Sequence, residues 1–260
     1  GVKTDRKISK EIEEKYKAEY AGNYQKSLIA KEAIKKVHRK AREIRAFHYE
    51  NTLPWEDGGV RILPTSNYMD YSQKIGELKR EYEAQVDLFA ENYKSLVEEA
   101  KIRLNGMFDP KDYPTNITDL FGVEVQFTPV PSKNDFRVSL SDSDIEGLRD
   151  GLESMVQAKQ RAAVKELFER IHNTVSHVVA KLKDEDAIFR NSLVENVENL
   201  VEILPKLNLL GDPEIEEITE AMKELLVDPD QLRNNTVTRD LTAKKAEEIL
   251  KRFDIKSKVQ

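Results

Sequence analysis

An eleven-residue repeat of apolar side chains is the feature that most constrains how this chain folds. Between positions 68 and 104, three rows of apolar residues recur at that spacing. Eleven residues make about three helical turns, so the rows form a nearly straight stripe along one helix. We therefore predict one long helix that buries this stripe against a partner. The rows are Tyr71, Tyr82, Tyr93 and Leu104; Ile75, Val86 and Val97; and Leu78, Phe89 and Ala100.

A second series with the same spacing occurs later in the chain and supplies a candidate partner. We predict a mainly α protein, an elongated antiparallel pair of long helices in the manner of a helical bundle or coiled coil. A small β-hairpin is predicted between the long helices, because two stretches of alternating apolar residues lie within positions 107–141. The second series is Ile145, Val156, Leu167 and Val178; the predicted strands carry Val123, Val125 and Phe127, then Phe136, Val138 and Leu140.

The remaining segments suggest three consecutive parts of one continuous domain. Residues 1–50 form a basic N-terminal helix, which we expect from about Ile8 to Tyr49 with a break near Gly22 and Asn23. Residues 51–185 hold a connector, the long helical pair and the hairpin. Residues 186–260 form a C-terminal helical segment: a helix before Pro205, two short helices that begin at Asp212-Pro213 and Asp228-Pro229, and a last helix from about Asp240 to Phe253.

Composition limits the chemistry that the chain can perform. Charged residues make up 35% of the sequence and hydrophobic residues 39%, which is typical of long amphipathic helices, and there is no cysteine. No nucleotide-binding, zinc-protease or serine-hydrolase motif occurs, and the four histidines lack metal-ligand spacing. We therefore expect a cytoplasmic protein that is not an enzyme, with no cofactor, no metal and no membrane partner.

Positive charge is concentrated in one segment although the whole chain has a formal net charge of −6. From Gln25 to Arg45 eight basic residues occur against two acidic ones. One interpretation is a solvated helical face, and a second is a docking face for an acidic protein or for the chain's own acidic surface. Nucleic acid is a third and less favoured interpretation, because few aromatic residues lie among the cations. The candidate partner-binding residues here are Lys35, Lys36, Arg39, Lys40 and Arg42.

The connector around Trp55, the only tryptophan, is the second candidate site. Gly58 and Gly59 follow it and indicate a tight turn. The indole could fold back and fill the end of the helical pair, because a large ring gains much from burial. Alternatively, Trp55 and Arg61 could anchor a partner, since these residue types are frequent at interface hot spots.

Several short motifs resemble an uncharacterised family that is common in tailed phages and prophages, over roughly residues 25–210. Members of that family are often encoded beside a MoxR-type AAA ATPase and a protein with a von Willebrand A or cobaltochelatase-like domain. The resemblance implies a phage-borne accessory protein, and it carries no catalytic residues. The motifs are Trp55-Glu56-Asp57-Gly58-Gly59-Val60-Arg61-Ile62-Leu63-Pro64, Asn67-Tyr68, Asp112-Tyr113-Pro114, Phe121, Pro129, Pro131 and Asp135-Phe136-Arg137-Val138.

Together these patterns predict a phage-encoded accessory protein of the host-cell cytoplasm that acts by protein–protein binding, as an adaptor or partner of a AAA ATPase. The alternative is a nucleic-acid-binding protein of phage replication or recombination that uses the basic N-terminal helix. We also expect self-association into a homo-oligomer, because a helical pair has too little interior to cover every apolar stripe.

Overall fold

A computed structural model describes residues 2–56, 58–130, 142–184 and 190–256, with side chains described outside 142–148 and 253–256. Over these residues the chain is mainly α, as predicted, with small antiparallel hairpins. None of the helices in these ranges has both the length and the apolar character that crossing a membrane requires. The helices are α1 Arg6–Tyr16, α2 Lys31–Glu50, α3 Tyr68–Leu104, α4 Asp142–Lys183, α5 Ser192–Leu207, α6 Pro213–Lys223, α7 Pro229–Asn234 and α8 Thr236–Lys256; the strands are β1 Val2–Thr4, β2 Gln25–Ser27, β3 Leu53–Pro54 and β4 Arg61–Ile62.

The chain forms two compact units, and each is built from two separate stretches. The first unit contains Gly1–Phe47 and Ser72–Phe127, and the second contains His48–Tyr71 and Thr128–Gln260. The three parts suggested by the sequence follow chain order, whereas each of these units joins segments that are distant in sequence. Helices α2 and α3 each contribute residues to both units.

Helix α3 is the long helix that the eleven-residue repeat predicts. It ends where Asn105 adopts a left-handed conformation with φ 45°, which asparagine tolerates better than most residues. Nine of the ten stripe residues are buried, and Val97 is half-buried. The stripe is therefore confirmed as the buried face of α3.

Helix α4 supplies the centre of the core in the second unit. Its fully buried residues are spaced four apart, at Ala163, Leu167, Ile171 and Val175, so they line one face of the helix. This face packs against α8, α5 and strand β3. The core around it is completed by Leu53, Val197, Leu204, Ile215, Ile218, Met222, Leu232, Ala246 and Ile249.

The partner of the apolar series in α4 differs from the prediction. Leu167 and Val178 belong to a core whose other members come from β3 and from α5 to α8. Helix α3 from Ser72 onward belongs to the first unit. Equal periods on two helices show that each needs a partner, but not which partner, because any apolar face of suitable shape can cover such a stripe. Val156 is half-buried, and the side chain of Ile145 lies outside the described residues.

The strand predicted over residues 123–127 does not form. Residues 121–130 have neither helix nor strand, and Phe127 is 51% exposed, so no buried face stabilises the alternating pattern. The second predicted strand, with Phe136, Val138 and Leu140, lies outside the described residues, as do the motif residues Asp57, Pro131 and 135–138.

The two small hairpins that form within the described residues lie elsewhere in the chain. Strand β1 pairs antiparallel with β2, with Val2 opposite Ser27. Strand β3 pairs antiparallel with β4, with Leu53 opposite Ile62. Both pairs are only two or three residues long, and their sequences are too short to show a strand periodicity.

The N-terminal region is two helices and a strand rather than one helix from Ile8 to Tyr49. The break is longer than the predicted one at Gly22 and Asn23. Lys17, Tyr20 and Gly22 all have positive φ, and strand β2 follows before α2 begins at Lys31. The basic helix therefore starts five residues after Lys26, which lies on β2 and is buried.

Two of the C-terminal helices, α6 and α7, begin where the sequence predicts. Asp212 and Asp228 each cap a helix by accepting a backbone N–H from the residue two positions on, with proline at the first helical position. The helix predicted to stop before Pro205 instead continues to Leu207. The last helix starts at Thr236, earlier than the predicted Asp240, because the Asn235 side chain accepts the backbone N–H of Thr238.

We expect Leu167→Ala to lower the free energy of unfolding by about 2 to 5 kcal/mol, because it leaves a cavity in the core of the second unit. Leu241→Ala, at a position 55% exposed on α8, is the matched control and should change it by less than about 0.5 kcal/mol. Denaturant unfolding of both variants measures the difference. Equal effects would show that α4 is not the centre of this core.

Candidate interaction site

Helix α2 presents one face to a groove within the first unit. Val37 and Ile44 are buried and lie seven residues apart, which is about two turns, so their burial sets the rotation of the helix. An ion pair between Lys40 and Glu81 on α3, at 2.7 Å, further fixes the rotation of α2. The basic residues of α2 that line the groove lie about 80° to 180° around the helix from Val37 and Ile44.

A row of basic residues on α2, which we name the basic stripe, borders this groove. Its members follow each other at steps of four, three, four and three residues, so they occupy an arc of about 80° on the helix. All of them are exposed to solvent. The stripe is Lys31, Lys35, His38, Arg42 and Arg45.

The charge of the basic stripe is only slightly compensated. Lys35 lies 3.2 Å from Glu32, but both side chains are largely exposed, and such pairs contribute little. Lys31, Arg42 and Arg45 form no ion pair with any residue that the structure describes. The edge of the groove therefore carries a surplus of positive charge.

The floor of the groove is apolar, and its volume is about 830 Å³. Val2 on strand β1 contributes an apolar side chain that is 59% exposed. An apolar floor beside a charged edge matches a site that recognises an amphipathic ligand. The apolar lining consists of Val2, Ile29, Ile34, Val37, Ala41, Tyr82 and Phe121.

Two aromatic residues of the floor are held by neighbours in the same unit. Phe121 follows a short 3-10 turn and meets the ring of Phe89 edge to face, with centroids 5.7 Å apart. Tyr82 is 6% exposed, and burial raises the pKa of its hydroxyl although the charge of Arg45 acts in the opposite direction. The Tyr82 phenol is therefore neutral near pH 7 and adds no negative charge to the groove.

A buried ion cluster holds the β1–β2 hairpin that supplies Val2 and Ser27 to the groove. Lys26 is 6% exposed, and its Nζ lies 2.8 Å from Oδ2 of Asp112 and 3.3 Å from Oδ2 of Asp5. The same Nζ donates to the carbonyl of Met107 at 2.9 Å. Lys3 also pairs with Asp112. This cluster joins three stretches of the first unit that are far apart in sequence.

The pKa values within the cluster favour its charged form. Burial acts to raise the pKa of Asp112, but the bonds and charges of Lys26 and Lys3 outweigh it and hold that pKa below its ordinary value. Hydrogen bonding to Asp112 raises the pKa of Lys26 despite burial. The ion pairs are therefore formed at neutral pH.

The structure separates the basic residues selected from the sequence into two groups. Lys35 and Arg42 belong to the basic stripe. Lys36, Arg39 and Lys40 lie on other faces of α2, about 80° to 180° around the helix from Lys31. Arg39 is 3.6 Å from Glu43, and Lys40 pairs with both Glu43 and Glu81, which raises its pKa.

The second candidate site lies in the other unit, and its two key side chains are buried there. Trp55 is 9% exposed, with the Lys159 ammonium 5.6 Å from the centroid of its ring. The side chain of Arg61 is 9% exposed and donates to the Thr52 hydroxyl at 2.8 Å and the Thr52 carbonyl at 2.9 Å. It also lies 3.3 Å from Glu166. Both side chains are therefore buried within the second unit, and the role of Trp55 and Arg61 as anchors for a partner stays a prediction.

Two sets of groove residues were not predicted from the sequence. Lys31, His38 and Arg45 belong to the basic stripe, and their spacing relative to Lys35 and Arg42 is a helical period that the sequence does show. Selecting residues by charge density alone overlooked that period. The contributions of Val2, Tyr82 and Phe121 have no signal in the sequence, because they depend on how distant segments pack.

Comparison of the chain with protein-family models, with curated proteins and with solved structures finds no match. The resemblance to the tailed-phage family therefore stays a prediction. Among the residues that the structure describes, no group of three or more His, Cys, Asp or Glu side chains is placed to hold a metal ion. The basic stripe and the apolar floor beside it form the candidate interaction site of this chain.

We expect Asp112→Asn to lower the free energy of unfolding at neutral pH by about 1 to 3 kcal/mol, because it leaves the buried Lys26 ammonium poorly paired. The folded-state pKa of Asp112 is below its unfolded value, so its contribution is complete above the ordinary aspartate range and is lost as the pH falls through the lowered pKa. Wild type and variant should therefore converge in acid. Denaturant unfolding over a pH series tests this, with exposed Asp87→Asn as control.

We expect Trp55→Ala to lower the free energy of unfolding by about 3 kcal/mol, because a large buried ring is lost. Val60→Ala on the same turn, at a position 47% exposed, should have little effect. Because Trp55 is the only tryptophan, its fluorescence reports on this site alone. Emission that is already at the wavelength of free indole in the native protein would contradict the burial of the ring.

Proposed function

We propose that this chain is a phage-encoded accessory protein that acts by protein–protein binding, and that it receives its partner in the groove beside the basic stripe. A MoxR-type AAA ATPase, or a protein encoded with it, is the partner that the resemblance to the phage family suggests. The observation that carries the binding proposal is the basic stripe itself: exposed cations with little compensation, placed along an apolar groove.

Repulsion between like charges of the basic stripe destabilises the unbound protein, and this supports a binding role. Lys31 and Lys35 are four residues apart on one face of α2. Like charges at this spacing destabilise a helix by about 0.2 to 0.5 kcal/mol per pair. Only Lys35 has an acidic neighbour within ion-pair distance among the described residues. A partner that brings carboxylates would remove this repulsion.

Protein is favoured over nucleic acid as the partner for two physical reasons. The chain as a whole is acidic, with a net charge of −6, which opposes approach to a phosphate backbone. A platform for unpaired bases needs exposed aromatic faces, but Tyr82 in the groove is 6% exposed, and Phe121 is packed on Phe89. The groove therefore suits carboxylates with apolar side chains better than it suits bases.

The alternative function, nucleic-acid binding, is favoured by one observation. Lys31, Arg42 and Arg45 form no ion pair with the described residues and could meet phosphates along α2. Binding of that kind depends steeply on salt, because bound counterions are released from the nucleic acid. A gel-shift assay with a salt titration separates this alternative from docking to a protein.

The test of the proposed function compares two double variants of equal charge change on the same helix. Lys35→Glu with Arg42→Glu reverses two charges of the basic stripe. Lys36→Glu with Arg39→Glu reverses two charges on other faces of α2 and is the matched control. All four positions are exposed, so neither variant should unfold the protein.

We expect wild type and control to retain the same partner when purified from phage-infected cells, and the stripe variant to lose it. The co-purifying proteins are identified by mass spectrometry, and a MoxR-type ATPase is the first to be sought. Equal retention by both variants would overturn the assignment of the stripe. Salt-sensitive binding of DNA or RNA that only the stripe variant loses would support the alternative function instead.

A further inference from the structure

We infer that the groove takes an acidic amphipathic helix of the partner, with its carboxylates on the basic stripe and its apolar side chains in the groove. This inference rests on the proposed function and adds the chemistry and conformation of the segment that is bound. In this binding mode the apolar face of the partner helix lies in the groove, and ion pairs along the charged edge set the register between the two helices.

Charge complementarity identifies the sign of the partner segment. The groove is lined by Lys31, Lys35, Arg42 and Arg45 and by the imidazole of His38, whereas among the described residues Glu32 is the only acidic one that lines it. Potentials of opposite sign across an interface speed association and reject partners of like charge. An acidic segment is therefore selected over a neutral or basic one.

The spacing of the stripe selects a helix over an extended strand. From Lys31 to Arg45 the stripe extends about 21 Å along α2, which is an average of about 5.3 Å between successive members. A partner helix has the same rise per residue, so carboxylates at steps of four, three, four and three residues stay in register. On a strand, side chains on one face recur about every 6.6 Å, and the mismatch reaches about 5 Å over four steps.

The floor of the groove indicates how the partner is anchored. Its volume of about 830 Å³ holds a few large side chains rather than a whole helix. The partner helix must therefore lie along the groove and insert apolar residues from one face. Val2, which is 59% exposed, and the partly exposed Ile34 and Ala41 are the side chains that such residues would cover.

The probe for this inference is a labelled peptide of about fifteen residues, long enough to span the stripe as a helix. It carries Glu at the spacing of the stripe and Leu at adjacent positions, with Ala elsewhere. A second peptide has the same composition in an order that places Glu and Leu on no common face. A single-stranded oligonucleotide serves as a polyanion without carboxylates or an apolar face. Binding is measured by fluorescence anisotropy, and peptide helicity by circular dichroism.

We expect the amphipathic peptide to bind the full chain, to gain helicity on binding, and to bind at least about tenfold more tightly than the scrambled peptide. Lys35→Glu with Arg42→Glu should weaken binding by about tenfold or more, and Lys36→Glu with Arg39→Glu should not. Val2→Ser, at an exposed position, should weaken binding without unfolding the protein, because it removes part of the apolar floor.

Three outcomes would overturn the inference. Equal binding of both peptides would show that the stripe attracts any acidic chain. Tighter, salt-sensitive binding of the oligonucleotide through the same residues would identify a nucleic-acid groove. Absence of peptide binding, while the stripe variant still loses its partner from infected cells, would leave the proposed function standing and show that the partner is not an acidic helix.

Discussion

The first unit depends on one buried ammonium group. Lys26 pairs with Asp112 and Asp5 from a strand that is only three residues long, so the hairpin is stabilised by charge and hydrogen bonds rather than by the strands themselves. Arg103 of α3 adds to this by donating to the carbonyl of Ser27 at 2.8 Å. Strands β1 and β2 supply Val2 and Ser27 to the groove. The shape of the candidate site therefore depends on the polar contacts that hold these two strands.

The basic residues of the N-terminal region therefore have different roles although they appear alike in the sequence. Lys26 is buried and structural, while Lys40 pairs with Glu43 and Glu81 and holds α2 against α3. Lys35 and Arg42, by contrast, lie along an open groove. The rotation of α2, set by buried Val37 and Ile44, decides which cations remain available to a partner. Charge density alone does not identify an interaction surface, because ion pairs within the fold neutralise part of the charge.

The motif residues that resemble the phage family have contacts within the fold. Trp55 is buried, and Arg61 is bonded to Thr52 and Glu166. Asn67 is fully buried and donates to the carbonyl of Asn51, while the Tyr113 hydroxyl donates to the carbonyl of Leu28 at 3.0 Å. These contacts satisfy backbone carbonyls where helices and strands end, as buried polar groups require. The motifs that carry the resemblance thus fall mainly on residues that stabilise turns and connections, and none of these motifs includes a residue of the basic stripe.

The sequence by itself determined most of the helices and the buried face of α3, because helical periodicity and capping are local. The eleven-residue stripe predicts α3 to within about a residue at each end, and the aspartate–proline pairs predict the starts of α6 and α7. Tertiary structure decided which surfaces pack together, because an apolar stripe requires burial but does not determine which element covers it. The series in α4 is covered by β3 and by helices α5 to α8, and the alternating residues from Val123 to Phe127 form neither helix nor strand, with Phe127 51% exposed. The groove likewise brings Val2, Tyr82 and Phe121 together from three distant segments, which only long-range packing can do.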